Sequence, residues 1–197
     1  MKGYKFMSKI EFYNNVKSIV DTAIEDIKVF NAEASSIENK INSKRYNIDV
    51  VNKELVPHLN DTKKAIRARQ DIANAVIEDV VNNYIDKLIS EDRLKGEELT
   101  ADIKLLETGI VLSAKDVEMI FDRNIDNNTM KKLIVEYAKQ HNIKINRHYQ
   151  PKNADLIESV KGVPYIANMV IKWHNKPEIY KELISENSKL YKMFSEE

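Results

Sequence analysis

The stretch IKVFNAEASSIENKINSKRYNIDVVNKEL, residues 27–55, decides the fold class of this chain. Nine positions along it are separated by alternating steps of three and four residues, and eight of the nine are apolar. The apolar positions are Ile27, Phe30, Ala34, Ile37, Ile41, Ile48, Val51 and Leu55. A heptad stripe of this kind is typical of a helix that packs against another helix along its length. It predicts a long, coiled-coil-like helix that ends before Pro57, because proline does not continue a helix.

The ninth position of the stripe is Lys44. A lysine at a seam position can fix the register or the oligomeric state of a coiled coil, at a cost in stability. Alternatively, its aliphatic stem lies along the seam while the amine reaches water. Both interpretations keep Lys44 inside the first helix.

A second stretch with helical periodicity follows and extends to about Leu94. If the chain folds back at residues 57–60, residue i faces residue 117 − i, and Lys44 then meets the small side chain of Ala73. The sequence therefore predicts a long antiparallel helical hairpin over residues 8–95. The apolar stripes are narrow near the turn and broad at the far end, which predicts a protruding tip and a buried base.

The remaining residues, 96–197, predict a helical bundle that packs on the base of the hairpin. Ser113 followed by Asp116 predicts a capping box, with aspartate where glutamate is usual, and Thr129 is expected to cap the next helix. Strand-like alternation is confined to Ile143 and Ile145, so the predicted fold class is all-α. The side chains expected to be buried together in this body are Phe121, Leu133, Ile134, Tyr137, Ile166, Val170 and Leu183, with Trp173 rather than His174.

Composition excludes several classes of protein. The 197 residues contain 31 Lys and Arg, 31 Asp and Glu, and no cysteine, so neither a disulfide framework nor a thiolate metal site is available. No apolar run reaches the roughly 18 residues of a membrane span. The segment Met1–Met7 lacks the apolar core of a signal peptide, which predicts a location in the cytoplasm, or in a virion for a phage-encoded protein.

The net charge of zero conceals a strong segregation of charge. Residues 40–70 carry a net charge of +5, and residues 71–122 carry −8. The interaction residues predicted at the basic hairpin tip are Lys44, Arg45, Lys53, Lys63, Lys64, Arg67 and Arg69, with Lys40 beside them. Opposite charges at the two ends of a long molecule favour self-association. In the predicted homo-oligomer, the basic tip of one copy contacts acidic residues of another, such as Glu78, Asp79 and Asp86. The tip could also bind nucleic acid through phosphate contacts, although Tyr46 is the only aromatic residue among its cations.

No catalytic template, nucleotide-binding loop or cofactor motif can be built from this sequence, so we expect neither an enzyme nor a bound cofactor. The residues Asp122, Asn124, Asp126 and Asn128 imitate the first half of a calcium-binding loop, but Leu133 occupies the position of its essential glutamate. An Asx-rich turn explains the same pattern. The four histidines, His58, His141, His148 and His174, show no metal-binding spacing.

The helices on either side of this turn also suggest a helix-turn-helix, with Lys131, Lys132, Lys139 and Gln140 on the second helix. The expected turn of about six residues is longer than the usual three or four. Nucleic-acid binding therefore remains an alternative that the sequence does not favour.

Residues 112–122 (LSAKDVEMIFD) and 127–141 (NNTMKKLIVEYAKQH) resemble segments of small helical proteins that tailed phages and prophages of Gram-positive bacteria encode. The resemblance implies a role in the virion or in its assembly, and it transfers no functional residue. The sequence thus predicts a non-enzymatic structural or assembly protein that binds copies of itself or another assembly protein. The alternatives are a nucleic-acid-binding protein and an enzyme of unrecognised type.

Overall fold

The computed structural model describes residues 7–186 and 188–195, so most of the segment that bears on a signal peptide lies outside it. The described residues form helices and no strands, which confirms the all-α prediction. Their contacts divide the chain into two units. The first contains the residues up to Tyr84 together with those from Val160 onward, and the second is Ile85–Ser159.

The first unit contains the helical hairpin. Its helical segments are α1 (Lys9–Asn42), α2 (Ile48–Val50), a π-helical segment (Val51–Leu55) and α3 (Val56–Glu91). The last three are continuous, and residues 85–91 of α3 belong to the second unit. The Ser8 side chain caps α1 in a capping box with Glu11. Phe12 contacts Tyr84 near the base, and Asp26 contacts Arg69 nearer the turn, so α1 and α3 run antiparallel. At 1.5 Å per residue, the 34 residues of α1 span about 51 Å.

The turn of the hairpin lies at residues 43–47, so the prediction of a turn at residues 57–60 is wrong. Lys44 adopts a left-handed conformation with φ of 55° and leaves the seam, and the Asn47 side chain caps the helix that follows. Pro57 lies within the continuous helix directly after the π-helical segment. Because a π-helical segment already interrupts the regular hydrogen-bond ladder, a residue without an N–H is accommodated there.

The change of turn also replaces the predicted pairing of residue i with residue 117 − i. Three of the predicted seam residues on α1 are buried as expected, namely Ile27, Ala34 and Ile37. Beyond the turn, Ile48 is 68% exposed, and Val76 is exposed rather than paired with the seam. The buried stripe on α3 is instead Ala73, Ile77, Val81 and Tyr84.

The base of the hairpin is packed by the C-terminal helices. These are α8 (Val163–Lys172), α9 (Pro177–Leu183) and α10 (Lys189–Ser195). The ring of Phe194 lies 5.0 Å from that of Phe12, and the hydroxyl of Tyr13 donates a hydrogen bond to the carbonyl of Ile184. The structure therefore groups the residues from Val160 onward with the hairpin, whereas the sequence placed them in one body with residues 96–159.

The expectation for Trp173 and His174 is wrong. Trp173 is 41% exposed, and the ammonium of Lys176 lies 4.4 Å from its ring centroid, a cation–π contact that suits a surface position. His174 is the less exposed of the two. It contacts the side-chain amide of Asn31 at 3.0 Å and the Ile171 carbonyl at 3.0 Å, so its polar atoms are satisfied where it lies.

The second unit is built around two helices, α5 (Ala114–Arg123) and α6 (Asn128–Gln140). A 3-10 segment (Gly96–Glu98) and α4 (Ile103–Glu107) precede them in the chain. Most of α7 (Ala154–Lys161) follows them. Its core is Val117, Ile120, Phe121, Met130, Ile134, Tyr137 and Ala138, with Leu133 packed at its edge. The predicted capping box of Ser113 and Asp116 is present. The cap of α6 is Asn127 rather than Thr129. Ile166, Val170 and Leu183 belong to the first unit, so the predicted single buried cluster is divided between two cores.

Candidate interaction surfaces of the helical hairpin

The predicted basic residues do not form one cluster at the hairpin tip. Lys40, Lys44 and Arg45 lie at the end of α1 and in the turn, and Lys53 is in the π-helical segment. The others are Lys63, Lys64, Arg67 and Arg69, which follow one another along the first half of α3. Because the turn lies earlier than predicted, the α3 residues lie along the side of the hairpin.

Half of these cations have acidic partners within the hairpin. The ion pairs are Lys53–Asp49 at 3.9 Å, Lys63–Glu38 at 2.8 Å, Lys64–Asp61 at 3.1 Å and Arg69–Asp26 at 2.6 Å. The Arg69 contact is an ion pair without the alignment of a hydrogen bond. Exposed pairs of this kind contribute little stability, but they reduce the positive charge available to a partner.

Lys40, Lys44, Arg45 and Arg67 have no acidic partner among the residues that the structure describes. Two of them, Lys40 and Arg45, line a groove of about 490 Å³ at the hairpin tip. Tyr46 and the serine and asparagine side chains of the last turns of α1 complete its walls. We call this feature the tip groove.

A second surface on the hairpin was not anticipated from the sequence. Ile72 is 53% exposed and Val76 is 44% exposed on one side of α3, where they line a shallow pocket with Ile19 of α1. Ala65 and Ala68 precede them at helical spacing. We call these four α3 residues, Ala65, Ala68, Ile72 and Val76, the α3 flank. The signal for it is a second apolar stripe on α3, distinct from the buried stripe.

The charges on α3 change sign across this flank. Four cations and two carboxylates, Asp61 and Asp71, precede Ile72 on α3, whereas Glu78 and Asp79 follow it, and Asp86 lies further along the same helix. Glu78 has no basic partner in the described part of the chain. Asp79 accepts a hydrogen bond from the Asn83 amide and leaves its charge unpaired. The flank thus has an apolar centre with a basic side toward the hairpin turn and an acidic side toward the base.

The Asp/Asn-rich turn of the second unit is held by its own neighbours. The Arg147 guanidinium donates to both Asp122 carboxylate oxygens at 2.8 Å, and this hydrogen-bonded pair lowers the pKa of Asp122 and raises that of Arg147. The Asn124 amide donates to Asp102 and to the Ile120 carbonyl, while Asn127 caps α6. Within the described ranges, no three acidic or histidine side chains are grouped as a metal site would require. These contacts favour a structural turn over a calcium loop.

The helix-turn-helix interpretation finds no electrostatic support. The turn of residues 124–127 is shorter than expected and within the usual range. However, the carboxylate of Glu98 accepts a hydrogen bond from the Thr129 hydroxyl at 2.6 Å, which places a negative charge at the start of α6. This hydrogen bond lowers the pKa of Glu98 and so keeps it ionised. A DNA phosphate that approached this helix end would meet a carboxylate.

Comparison of the sequence with protein-family models, with curated proteins and with solved structures finds no match. In the described part of the chain, no helix is both long and apolar enough to cross a membrane.

Proposed function

We propose that this protein is a non-enzymatic assembly protein that associates with copies of itself through the α3 flank. One observation supports this function most directly. Ile72 and Val76 are large apolar side chains that remain about half exposed at the middle of a long helix. Full burial of such a side chain is worth roughly 1.5–3 kcal/mol, so covering the exposed half contributes on the order of 1 kcal/mol per residue.

The charges around the flank select a second copy as its partner. If two α3 helices pack antiparallel about Ile72, Ala68 of each copy lies against Val76 of the other. Lys64 lies near Asp79 in the same arrangement. A parallel arrangement would instead place like charges together. The antiparallel contact is isologous, so it closes as a two-fold dimer.

This proposal differs from pure charge attraction between the tip and the base. Lys63 and Arg69 have acidic partners on α1, so they have less charge to offer to another copy. The pair of Lys64 with Asp61 is highly exposed and lies within one helix, so it does not hold Lys64 strongly. Burial of the apolar flank supplies the affinity, and the charges of Lys64 and Asp79 set the orientation of the two copies. A different assembly protein with a similar helix could occupy the same flank.

We further propose a role in a phage virion or in its morphogenesis. The residues that resemble phage-encoded proteins, 112–122 and 127–141, supply the core of the second unit, including Phe121, Ile134 and Tyr137. The resemblance therefore concerns the fold of that unit. A self-associating helical protein is suited to such a role, either in the host cytoplasm or in the particle.

The oligomeric state in solution tests self-association. Light scattering after size exclusion should give a dimer or a larger assembly for the full chain. The double variant Ile72→Asp/Val76→Asp should be monomeric with unchanged helix content, because burying two carboxylates opposes the contact. The matched control is Val29→Asp, since Val29 is a 68% exposed apolar residue of α1 outside the flank. A monomeric wild-type chain at all concentrations, or equal dissociation by Val29→Asp, would contradict the proposal.

A further inference from the structure

We infer that the tip groove binds the phosphodiester backbone of a single-stranded nucleic acid, with one base stacked on Tyr46. The groove uses residues that the α3 flank does not use, so this inference is independent of self-association. Its cationic residues are Lys40 and Arg45, with Lys44 between them in the chain.

The positive charge of the tip groove is not neutralised from within the hairpin. Lys40, Lys44 and Arg45 have no acidic partner in the described ranges, whereas Lys63 and Arg69 on α3 do. The carboxyl end of a helix carries a partial charge of about −0.5, which two or three lysine and arginine charges exceed. The groove therefore keeps a net positive charge toward solvent.

The walls of the groove offer hydrogen-bond donors at the same place. Ser35, Ser36 and Asn39 line it on α1 and are exposed. The Ser43 hydroxyl already donates to the Lys40 carbonyl, and the Ser43 N–H donates to the Asn39 carbonyl, so the end of α1 is capped without help from a ligand. Hydroxyl and amide side chains beside cations are the usual donors to phosphate oxygens.

Lys44 occupies a position that a glycine would fill at less cost. Its φ of 55° is in the left-handed region, where a side chain with a Cβ atom is strained. The side chain is exposed and makes no hydrogen bond or ion pair with the described residues. An ammonium that projects from the turn beside Arg45 instead adds to the electrostatic attraction of a phosphate backbone.

Tyr46 adds a feature that a simple anion site does not need. The ring lines the groove together with Arg45 and is 43% exposed. Aromatic rings next to cations bind single-stranded nucleic acids by stacking on unpaired bases. A duplex has no free base to stack, so Tyr46 favours a single strand over a duplex.

Fluorescence anisotropy on the full chain tests the inference. The labelled probes are oligonucleotides of about 20 nucleotides, supplied as single-stranded DNA, single-stranded RNA or duplex. At about 50 mM salt we expect binding to a single strand. The variant Lys40→Gln/Arg45→Gln should weaken it by roughly tenfold or more and reduce the slope of log K against log salt by about 0.7 per charge removed. Tyr46→Ala should weaken single-strand binding and leave duplex binding unchanged.

Two further variants separate binding from folding. Lys44→Gly should weaken binding by roughly twofold to fivefold while the thermal midpoint stays the same or rises, because glycine tolerates the left-handed turn. The matched control is Lys28→Gln, which removes an exposed charge from α1 outside the groove and should change affinity by less than about twofold.

Three outcomes would overturn the inference. The first is no binding of any oligonucleotide at low salt, and the second is an equal loss of affinity in Lys28→Gln and in the groove variant. The third is binding to vesicles of phosphatidylserine and phosphatidylcholine that is at least as tight as binding to the single strand. The groove variant should leave the oligomeric state unchanged, so failure here does not affect the self-association proposal.

Discussion

Phe12 stacks on Tyr84, with their ring centroids 4.4 Å apart and their planes 14° from parallel. The pair joins the first turns of α1 to α3 near the base of the hairpin. Phe194 packs against the same Phe12 ring, so residues from three distant parts of the chain meet in one aromatic cluster. This cluster sets the register of the hairpin and ties the C-terminal helices to it.

Truncation of Phe12 to alanine should therefore destabilise the protein strongly. Phe12 is 1% exposed, and its removal leaves a cavity beside two other rings. We expect a loss of about 3–5 kcal/mol in the free energy of unfolding, measured by chemical denaturation. Tyr46→Ala, at an exposed aromatic residue of the tip, should change it by less than about 0.5 kcal/mol. A loss below about 1 kcal/mol for Phe12→Ala would remove this cluster from the core of the fold.

Stability should fall at alkaline pH because of Tyr13. Burial is the main cause that raises the pKa of Tyr13 from 10.0 to about 12. Since the folded state favours the protonated phenol, the stabilisation is fully present below pH 10 and is lost as the pH rises to about 12. The unfolding free energy of wild type should decline over this range more steeply than that of Tyr13→Phe. Equal slopes for the two proteins would show that Tyr13 titrates normally.

The pKa of Asp122 reports directly on the turn before α6. The hydrogen-bonded Arg147 lowers this pKa below the ordinary 3.8. The pair therefore stabilises the fold above the unfolded-state pKa, and the contribution is lost as the pH falls through the lowered value. An NMR titration should place the pKa of Asp122 below 3.8 in wild type and closer to that value in Arg147→Leu. An unchanged pKa in the variant would show that the two side chains are not paired in solution.

The fold class could be predicted from the sequence because apolar residues at steps of three and four recur in almost every segment. The turn could not. The same spacing continues by chance from Ile41 through residues 43–47 to Ile48, so periodicity alone cannot show that the helix stops at Asn42. A turn was predicted at residues 57–60 because proline usually ends a helix. The sequence does not reveal that a π-helical segment accommodates Pro57.

The interaction surfaces were predictable only in part. The sequence shows which residues are basic, but it does not show which of them are paired with a carboxylate. Ion pairing depends on tertiary neighbours, such as Glu38 beside Lys63. The α3 flank was not predicted because the pairing of residue i with residue 117 − i places Val76 against Ile41 in the seam. Once the turn is moved, Ile72 and Val76 become a separate stripe. The exposure of Trp173 depends on where α8 ends, which side-chain size does not indicate.

The most direct test of the central claim, antiparallel association through the α3 flank, is a charge-swap mixing experiment. One variant carries Lys64→Glu, and the other carries Asp79→Lys. In a homodimer, either variant sets like charges against each other, whereas the mixed pair has opposite charges on both sides of the two-fold axis. Light scattering should therefore show two monomeric variants that form a dimer when mixed in equal amounts. Variants that still dimerise alone, or a mixture that stays monomeric while wild type dimerises, would contradict the antiparallel arrangement.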